Sequence, residues 1–129
     1  MELRYDRNFF EYEVKYLFER AHERYDFDVY RAIMNSAHII TAWQDGKLIG
    51  LIRSIDDSYW KAHIDCIVVS DEYTQTGLAS ILIESLMYEI RFVKYITAIP
   101  NEKYLIPLYK AFHFKEKYGC LMRENIKWM

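Results

Sequence analysis

Residues 62–91 read AHIDCIVVSDEYTQTGLASILIESLMYEIR, and the rest of the chain is organised around them. Ile64 to Val69 is rich in β-branched residues and apolar at most positions, the pattern of a buried strand. A polar break, Ser70 to Thr76, leads to Gly77. Beyond it the period changes: Leu78, Ile81, Leu82, Leu86 and Ile90 recur at three- and four-residue steps, the stripe of an amphipathic helix. The unit is therefore a strand, a short glycine-containing turn, and a helix over Thr76 to Arg91. A helix N-terminus presents unpaired backbone N–H groups and a partial positive charge of about half a unit. It is a ready site for a phosphate. Gly77 lets a ligand approach the backbone, and the small Ala79 and Ser80 keep the first turn open.

Composition bounds what such a unit can serve. The 129 residues suit one domain spanning the whole chain, and 52% of them are hydrophobic, enough for a real core. The net charge is -2 and Lys and Arg are scattered without a basic run, so nothing electrostatic points to nucleic acid. No apolar run approaches the ~20 residues of a membrane span. The first ten residues, MELRYDRNFF, lack a signal-peptide core, so a cytoplasmic location is expected. Cys66 and Cys120 have no metal-ligand spacing and read as reduced, buried thiols, with no metal site. Most of the twelve tyrosines read as half-buried amphipathic surface.

In chain order, Glu2 to Tyr5 reads as an edge strand. Phe10, Val14, Leu17, Phe18, Ala21 and Tyr25 mark one face of a helix that Asp6 or Asn8 could cap. A short second helix begins after Asp26 or Asp28 and ends at Asn35-Ser36. Ala37 to Trp43 and Lys47 to Ile55 are strands joined by an Asp45-Gly46 hairpin turn. Gly50 inside the second arm signals a bulge or close packing. After a turn at Asp56 to Tyr59, Trp60 to Val69 is the third strand. Val93 to Ile99 follows the long helix as a strand parallel to the third, so a right-handed crossover is expected and the sheet is mixed. Pro107 limits the next helix, around Leu108, Tyr109 and Ala111, to a short one. Phe114 to Tyr118 and Cys120 to Lys127 read as a final strand pair around Gly119. His22, between charged neighbours, reads as solvated.

Two segments carry a resemblance to a known family. The stretch DEYTQTGLASILIESL resembles motif A of the GNAT N-acetyltransferase superfamily, whose Q/R-x-x-G-x-G/A signature falls on Thr74-Gln75-Thr76-Gly77-Leu78-Ala79. The glycine and the small last residue fit, whereas Thr74 stands where Gln or Arg is usual. Further on, Asn101 is followed by Tyr109-Lys110-Ala111-Phe112-His113-Phe114, similar to the superfamily's N…A…Y-E-K-L-G-F segment. His113 replaces its glycine, so it must accept a left-handed backbone or change the turn.

The resemblance covers nearly the whole chain and implies the acyl-CoA N-acyltransferase fold. That fold is a mixed α/β architecture: an antiparallel amino-terminal meander, a βαβ crossover and about four flanking helices. It implies acetyl-CoA as co-substrate, with the pyrophosphate at Thr74, Gln75, Thr76, Gly77, Leu78, Ala79 and Ser80, and the pantetheine arm along Ile67, Val68 and Val69. A backbone N–H of Val68 or Val69 then faces the thioester oxygen. Asn101 binds the pantetheine amide or caps the helix at Tyr104. Tyr109 becomes the general acid for the leaving thiolate. Asp65 is the candidate base for the amine, beside Glu72, His63 and His113, or is simply solvated at a strand end. The acceptor is a primary amine, on a small molecule or on a peptide or protein. Phe9, Tyr25, Tyr30, Trp43 and Tyr118 could shape its site, or belong to the core or a dimer contact. A homodimer is the default for a small enzyme. A member of the same fold serving only as an acyl-CoA sensor or interaction module is the alternative.

Overall fold

The computed structural model describes residues 1–26, 28–117 and 119–125. Seven strands form one sheet: β1 (Glu2–Arg4), β2 (His38–Gln44), β3 (Lys47–Asp56), β4 (Lys61–Val69), β5 (Tyr95–Ala98), β6 (Lys115–Lys117) and β7 (Cys120–Glu124). Their spatial order is β1-β2-β3-β4-β5-β7-β6. Only β4 and β5 run parallel; every other neighbouring pair is antiparallel. The helices are α1 (Glu11–Arg20), α2 (Val29–Met34), α3 (Leu78–Glu89) and α4 (Leu105–Ala111). The mixed sheet, the meander, the crossover through α3 and the β1 edge strand all match the sequence reading. Part of the final strand pair, namely Tyr118, Ile126 and Lys127, lies outside the described residues.

Strand alternation sorts the core into two layers. Ile40, Ile52, Ile64, Ile67, Val69 and Ile96 pack with Leu82 and Leu86 of α3. Ile39, Leu51 and Val68 point the other way and pack with Val14 and Leu17 of α1 and Ile33 of α2. Phe9 and Trp43 are 5% and 4% exposed in this second layer, and the Trp43 indole donates to Thr41 Oγ1 at 2.8 Å. Tyr25 donates to Glu11 Oε2 and Tyr30 to the Phe9 carbonyl. Phe9 and Trp43 thus belong to the core, Tyr25 and Tyr30 are half-buried at its edge, and Tyr118 lies outside the described residues. At Gly50 both sequence options hold. The β2–β3 register shifts beside it, and a Cβ there would sit 3.0 Å from Leu78 Cδ2 and 3.2 Å from Leu82 Cδ1.

The α1 start differs from expectation. Its N-cap is Phe10, whose N–H donates to Glu13 Oε1 at 3.0 Å, while Asp6 Oδ1 accepts from the Asn8 N–H outside the helix. The helix stops at Arg20 because His22 takes a φ of 58°, a left-handed conformation that breaks the helical run before Tyr25. The Asp45-Gly46 turn has φ values of 51° and 76°, as a two-residue hairpin of this composition requires. Among the described residues no helix is long and apolar enough to cross a membrane, and no group of three His, Cys, Asp or Glu could hold a metal ion.

Two features of β3 and β4 matter for the site. From Arg53↔Cys66 to Ile55↔His63, β3 advances two residues while β4 advances three, so β4 carries a bulge around Ile64 and Asp65. The second is a polar knot at the far end of β3. Asp56, its side chain fully enclosed, accepts from Ser54 Oγ at 2.8 Å and the Ser58 N–H at 2.8 Å, with His38 Nδ1 at 2.8 Å. Asp56→Ala strands the buried Ser54 hydroxyl and releases the turn, so it should cost about 2–3 kcal/mol. A urea titration should show a lower midpoint with an unchanged slope.

Candidate functional site

The mouth of α3 is built by the turn before it. A 3₁₀ turn, Asp71–Tyr73, delivers the chain to Gly77, which sits at φ 84° as the N-cap, with no side-chain cap on the helix. The Ile81 N–H is the one that reaches back to the Gly77 carbonyl at 3.1 Å. The N–H groups of Leu78, Ala79 and Ser80 precede it and have no carbonyl of their own helix to meet. A Cβ on Gly77 would touch nothing within 4 Å, so the space outside the turn is open. Thr76 donates to the Tyr73 carbonyl at 2.7 Å and Thr74 to the Asp71 carbonyl at 3.0 Å. The Thr74 hydroxyl therefore braces its own turn rather than reaching outward as a Gln or Arg would. The chain carries no Lys or Arg from Ala62 to Ile90. Backbone amides and the helix dipole alone supply positive potential from this segment, a donor set that fits a diphosphate.

Beside this mouth the sheet opens. The parallel ladder ends at Ile64↔Ala98, with the Ile99 N–H donating to the Ile64 carbonyl at 3.0 Å, while β4 continues to Val69. In the gap Asn101 takes both backbone groups of Ile67. Its Oδ1 accepts from the N–H at 3.3 Å and its Nδ2 donates to the carbonyl at 2.9 Å. Nδ2 also donates to Glu23 Oε1 at 2.7 Å. Asn101 does not cap α4, whose N-cap is Tyr104 without a side-chain cap. Because Ile67 turns its backbone groups toward the gap, alternation does the same for Val69 and sends those of Val68 toward β3. Of the two amides considered for the thioester oxygen, Val69 has the fitting aspect and Val68 does not.

Tyr109 closes the inner end. It is 1% exposed, and its ring meets Phe114 edge-on at 5.1 Å. Burial, then the neighbouring Cys66 and Asp65, raise its phenol well above the ordinary value. The turn that brings Phe114 back to it has His113 at φ 72°, the left-handed alternative anticipated for this glycine position. The Cys66 thiol is pushed up to about 12 by burial first and the charge of Asp65 second. Asp65 is engaged by Arg53 through both oxygens, Nε–Oδ1 at 3.1 Å and Nη2–Oδ2 at 2.8 Å. Glu72 lies on the 3₁₀ turn with Arg20 4.0 Å away, and His22 reaches Asp71 at 3.4 Å from an exposed position. His63 Nδ1 lies 2.8 Å from Thr97 Oγ1.

A cleft of about 400 Å³ lies between the end of α1 and the turn before α3, walled by Glu23, Ile67, Val69, Asp71, Thr74, Gln75, Glu102 and Tyr104; Gly77, Asp65 and Tyr109 are not among its walls. Glu23 is the site residue the sequence hid. It lies in a charged stretch, and only the left-handed turn at His22 and the bond to Asn101 bring it here. Burial raises its carboxyl above the ordinary value; the Asn101 bond opposes this, and the adjacent Glu102 adds to it. A carboxyl raised in the folded state favours folding only while protonated, and that contribution is lost as pH rises through the raised value. Glu23→Gln should therefore melt higher than wild type at pH 7, with the gap closing as pH falls through the carboxylate range. Parallel thermal melts at pH 7 and pH 4 check this, and an equal gap at both pH values contradicts it.

Comparison with known proteins adds an independent line. A family model described as acetyltransferase (GNAT) family matches residues 4–114. No curated protein matches. Among solved structures, an acetyltransferase-like protein of meticillin-resistant Staphylococcus aureus superposes with a TM-score of 0.79 at 22% identity, covering 91% of each chain. The ribosomal-protein-S18-alanine N-acetyltransferase of Escherichia coli gives 0.74 at 19% identity over 90% of this chain and 78% of that one. A GNAT family acetyltransferase of Elizabethkingia anophelis with acetyl-CoA bound gives 0.72 at 12% identity, over 95% and 97%. These likenesses establish the fold. The family match takes in the α3 mouth, the strand opening and Tyr109 together, and on it the chain belongs to the GNAT acetyltransferase family.

Proposed function

We propose that this protein moves an acetyl group from acetyl-CoA to a primary amine, on a small molecule or on a peptide or protein, by direct transfer with both reactants bound. The observation that carries the reading is the stretch of β4 from Ile67 to Val69, left unpaired by β5, lying beside an uncapped helix mouth at Gly77. When bound, acetyl-CoA supplies an acyl group already activated on a thiol leaving group. The amides of Gly77, Leu78, Ala79 and Ser80 hold its diphosphate, flanked by Thr74, Gln75 and Thr76. Ile67, Val69 and Asn101 offer the backbone and amide groups for the pantetheine, while Val68 anchors the strand in the α1 layer. The Val69 N–H is a fixed donor for a developing oxyanion, an arrangement worth about 3 kcal/mol in a transition state.

Tyr109 donates its proton to the departing thiolate. The phenol stays protonated where a thiol of ordinary pKa near ~8.5 is already ionising. Two carboxylates are candidates for the base that takes the amine proton. Asp65 was the sequence candidate for the base, but its lone pairs are shared with Arg53. Glu23 stands at the cleft wall with a raised proton affinity and takes the amine proton through water. Asp65→Asn and Glu23→Gln separate the two: only loss of the true base depresses kcat at neutral pH and restores it at high pH.

Measuring free thiol released from acetyl-CoA across an amine panel tests the reading as a whole. Turnover supports it, and its absence with every amine, while acetyl-CoA still raises the melting temperature, favours the second reading of a non-catalytic acyl-CoA sensor. The inward-turned Thr74 hydroxyl and the Asn101 bonds across Ile67 are what keep that second reading in view.

A further inference from the structure

A second concavity, larger than the cleft, lies away from it. Ile64, Ile96 and Ala98 are buried under α3, so alternation turns His63, Tyr95 and Thr97 to the opposite face. Among the described residues, the cluster under α1 and α2 draws its strand residues from β2, β3 and the upper half of β4, and none from β5, β6 or β7. The uncovered part of this face is a trough of about 1330 Å³. Its floor is a cross-strand row, Ile55–His63–Thr97–Met122–Lys115, in which each residue is the register partner of the next. Five strands at ~4.8 Å spacing make the row about 19 Å long, the length of five or six extended residues. A small-molecule site is typically about 300–1,000 Å³ and more enclosed.

The trough reverses the charge of the chain. Among the described residues Lys61, Lys115 and Lys117 line it against Glu124, on a protein of net charge -2, while the Arg123 guanidinium at its rim is held by the Phe112 carbonyl and Asn125. Lys115 is exposed and has no ion-pair partner among the described residues, and Lys61 stands 4.5 Å over the Trp60 ring. Trp60 and Ile55, 57% and 50% exposed, give the trough apolar anchors. The His63–Thr97 pair of the floor is adjacent to Ile64↔Ala98, the last rung before the strands separate.

The geometry points to a polypeptide acceptor whose acidic residues follow the acetylated amino group and lie in this trough, with the amine delivered past His63 and Thr97 to the strand opening. This rests on the acetyl-transfer reading. The exposed Ile55 and Trp60 and the Glu124 carboxylate suit peptide side chains better than a sugar–phosphate strand.

Two assays with the full chain test it. The first compares kcat/KM, by thiol release from acetyl-CoA, for hexapeptides with a free amino terminus followed by Glu or by Lys residues. The second measures anisotropy of a labelled, amino-blocked acidic hexapeptide, which binds without reacting. The acidic peptide should lead by at least tenfold in kcat/KM. Lys61→Glu/Lys115→Glu should erase that lead through KM and weaken the blocked peptide at least tenfold. Equal or better use of the Lys peptide overturns the proposal, as does a charge-reversed variant with unchanged binding. So does an oligonucleotide that outcompetes the blocked peptide, or a dimer that the charge reversal dissolves. Charge-dependent binding of the blocked peptide without any turnover sustains the docking surface and removes the transfer reading instead.

Discussion

Replacing Gly77 with glutamate is expected to abolish the rise in melting temperature that acetyl-CoA gives the wild-type protein. Saturation at a hundred times Kd stabilises a fold by about 2.7 kcal/mol, a shift of several degrees for a chain of this size. The residue at this position holds φ 84°, so any side chain costs about 1–2 kcal/mol of backbone strain. A carboxylate at a helix N-terminus returns about 0.3–1 kcal/mol of that to the fold. Glutamate thus leaves a folded protein whose own charge occupies the potential meant for the diphosphate. Gly77→Ala separates the two effects, because a methyl group meets nothing within 4 Å and carries no charge. It should lower the melting temperature yet keep the acetyl-CoA shift. Retention of the shift in Gly77→Glu would place the diphosphate somewhere other than the mouth of α3.

Tyr109→Phe should lower kcat by about 10²-fold, within the usual range for acid–base help, and leave KM and the acetyl-CoA melting shift alone. The substitution removes one oxygen from a ring that is 1% exposed and keeps its edge contact with Phe114. The pH dependence sharpens the test. Burial and the adjacent Cys66 and Asp65 hold the proton on the phenol beyond its ordinary value of about 10. Wild type and variant should therefore show activity profiles of the same shape between pH 6 and about pH 9, differing only in height. An unchanged kcat in Tyr109→Phe would leave the residue a packing role and return the thiolate proton to solvent.

Much of this arrangement was legible before any coordinates. The change of period at Gly77 located α3, the Asp45-Gly46 pair located the hairpin, and the two motifs located the helix mouth and Tyr109. What stayed hidden depends on contacts between distant segments. Arg53 and Asp65 are twelve residues apart and become a forked ion pair only through the β3–β4 register. Glu23 and Asn101 are separated by 78 residues and meet only because α1 ends over β4. The trough was invisible because its lysines come from β4 and β6, each unremarkable within its own strand. The expected caps at Asp6 or Asn8 failed for a local reason: Glu13 supplies the acceptor from inside the helix, a signal three residues downstream.

The extra residue in β4 also constrains how this sequence can change. Below it, the strand turns its amides to β5 with even-numbered residues; above it, Ile67 turns them to the gap with odd ones. Loss of Asp65 would leave a regular ladder in which Ile64, Ile67 and Val69 still face α3, whereas loss of Ile64 would turn the Asp65 carboxylate into that core. Val68 would stay toward α1 in either case, and what the strand would lose is the local bend and twist that the extra residue gives it where it parts from β5. The extra residue thus shapes the course of β4 and not the choice of face beyond it, and Asp65, whose loss spares the core, is the position at which this stretch can shorten.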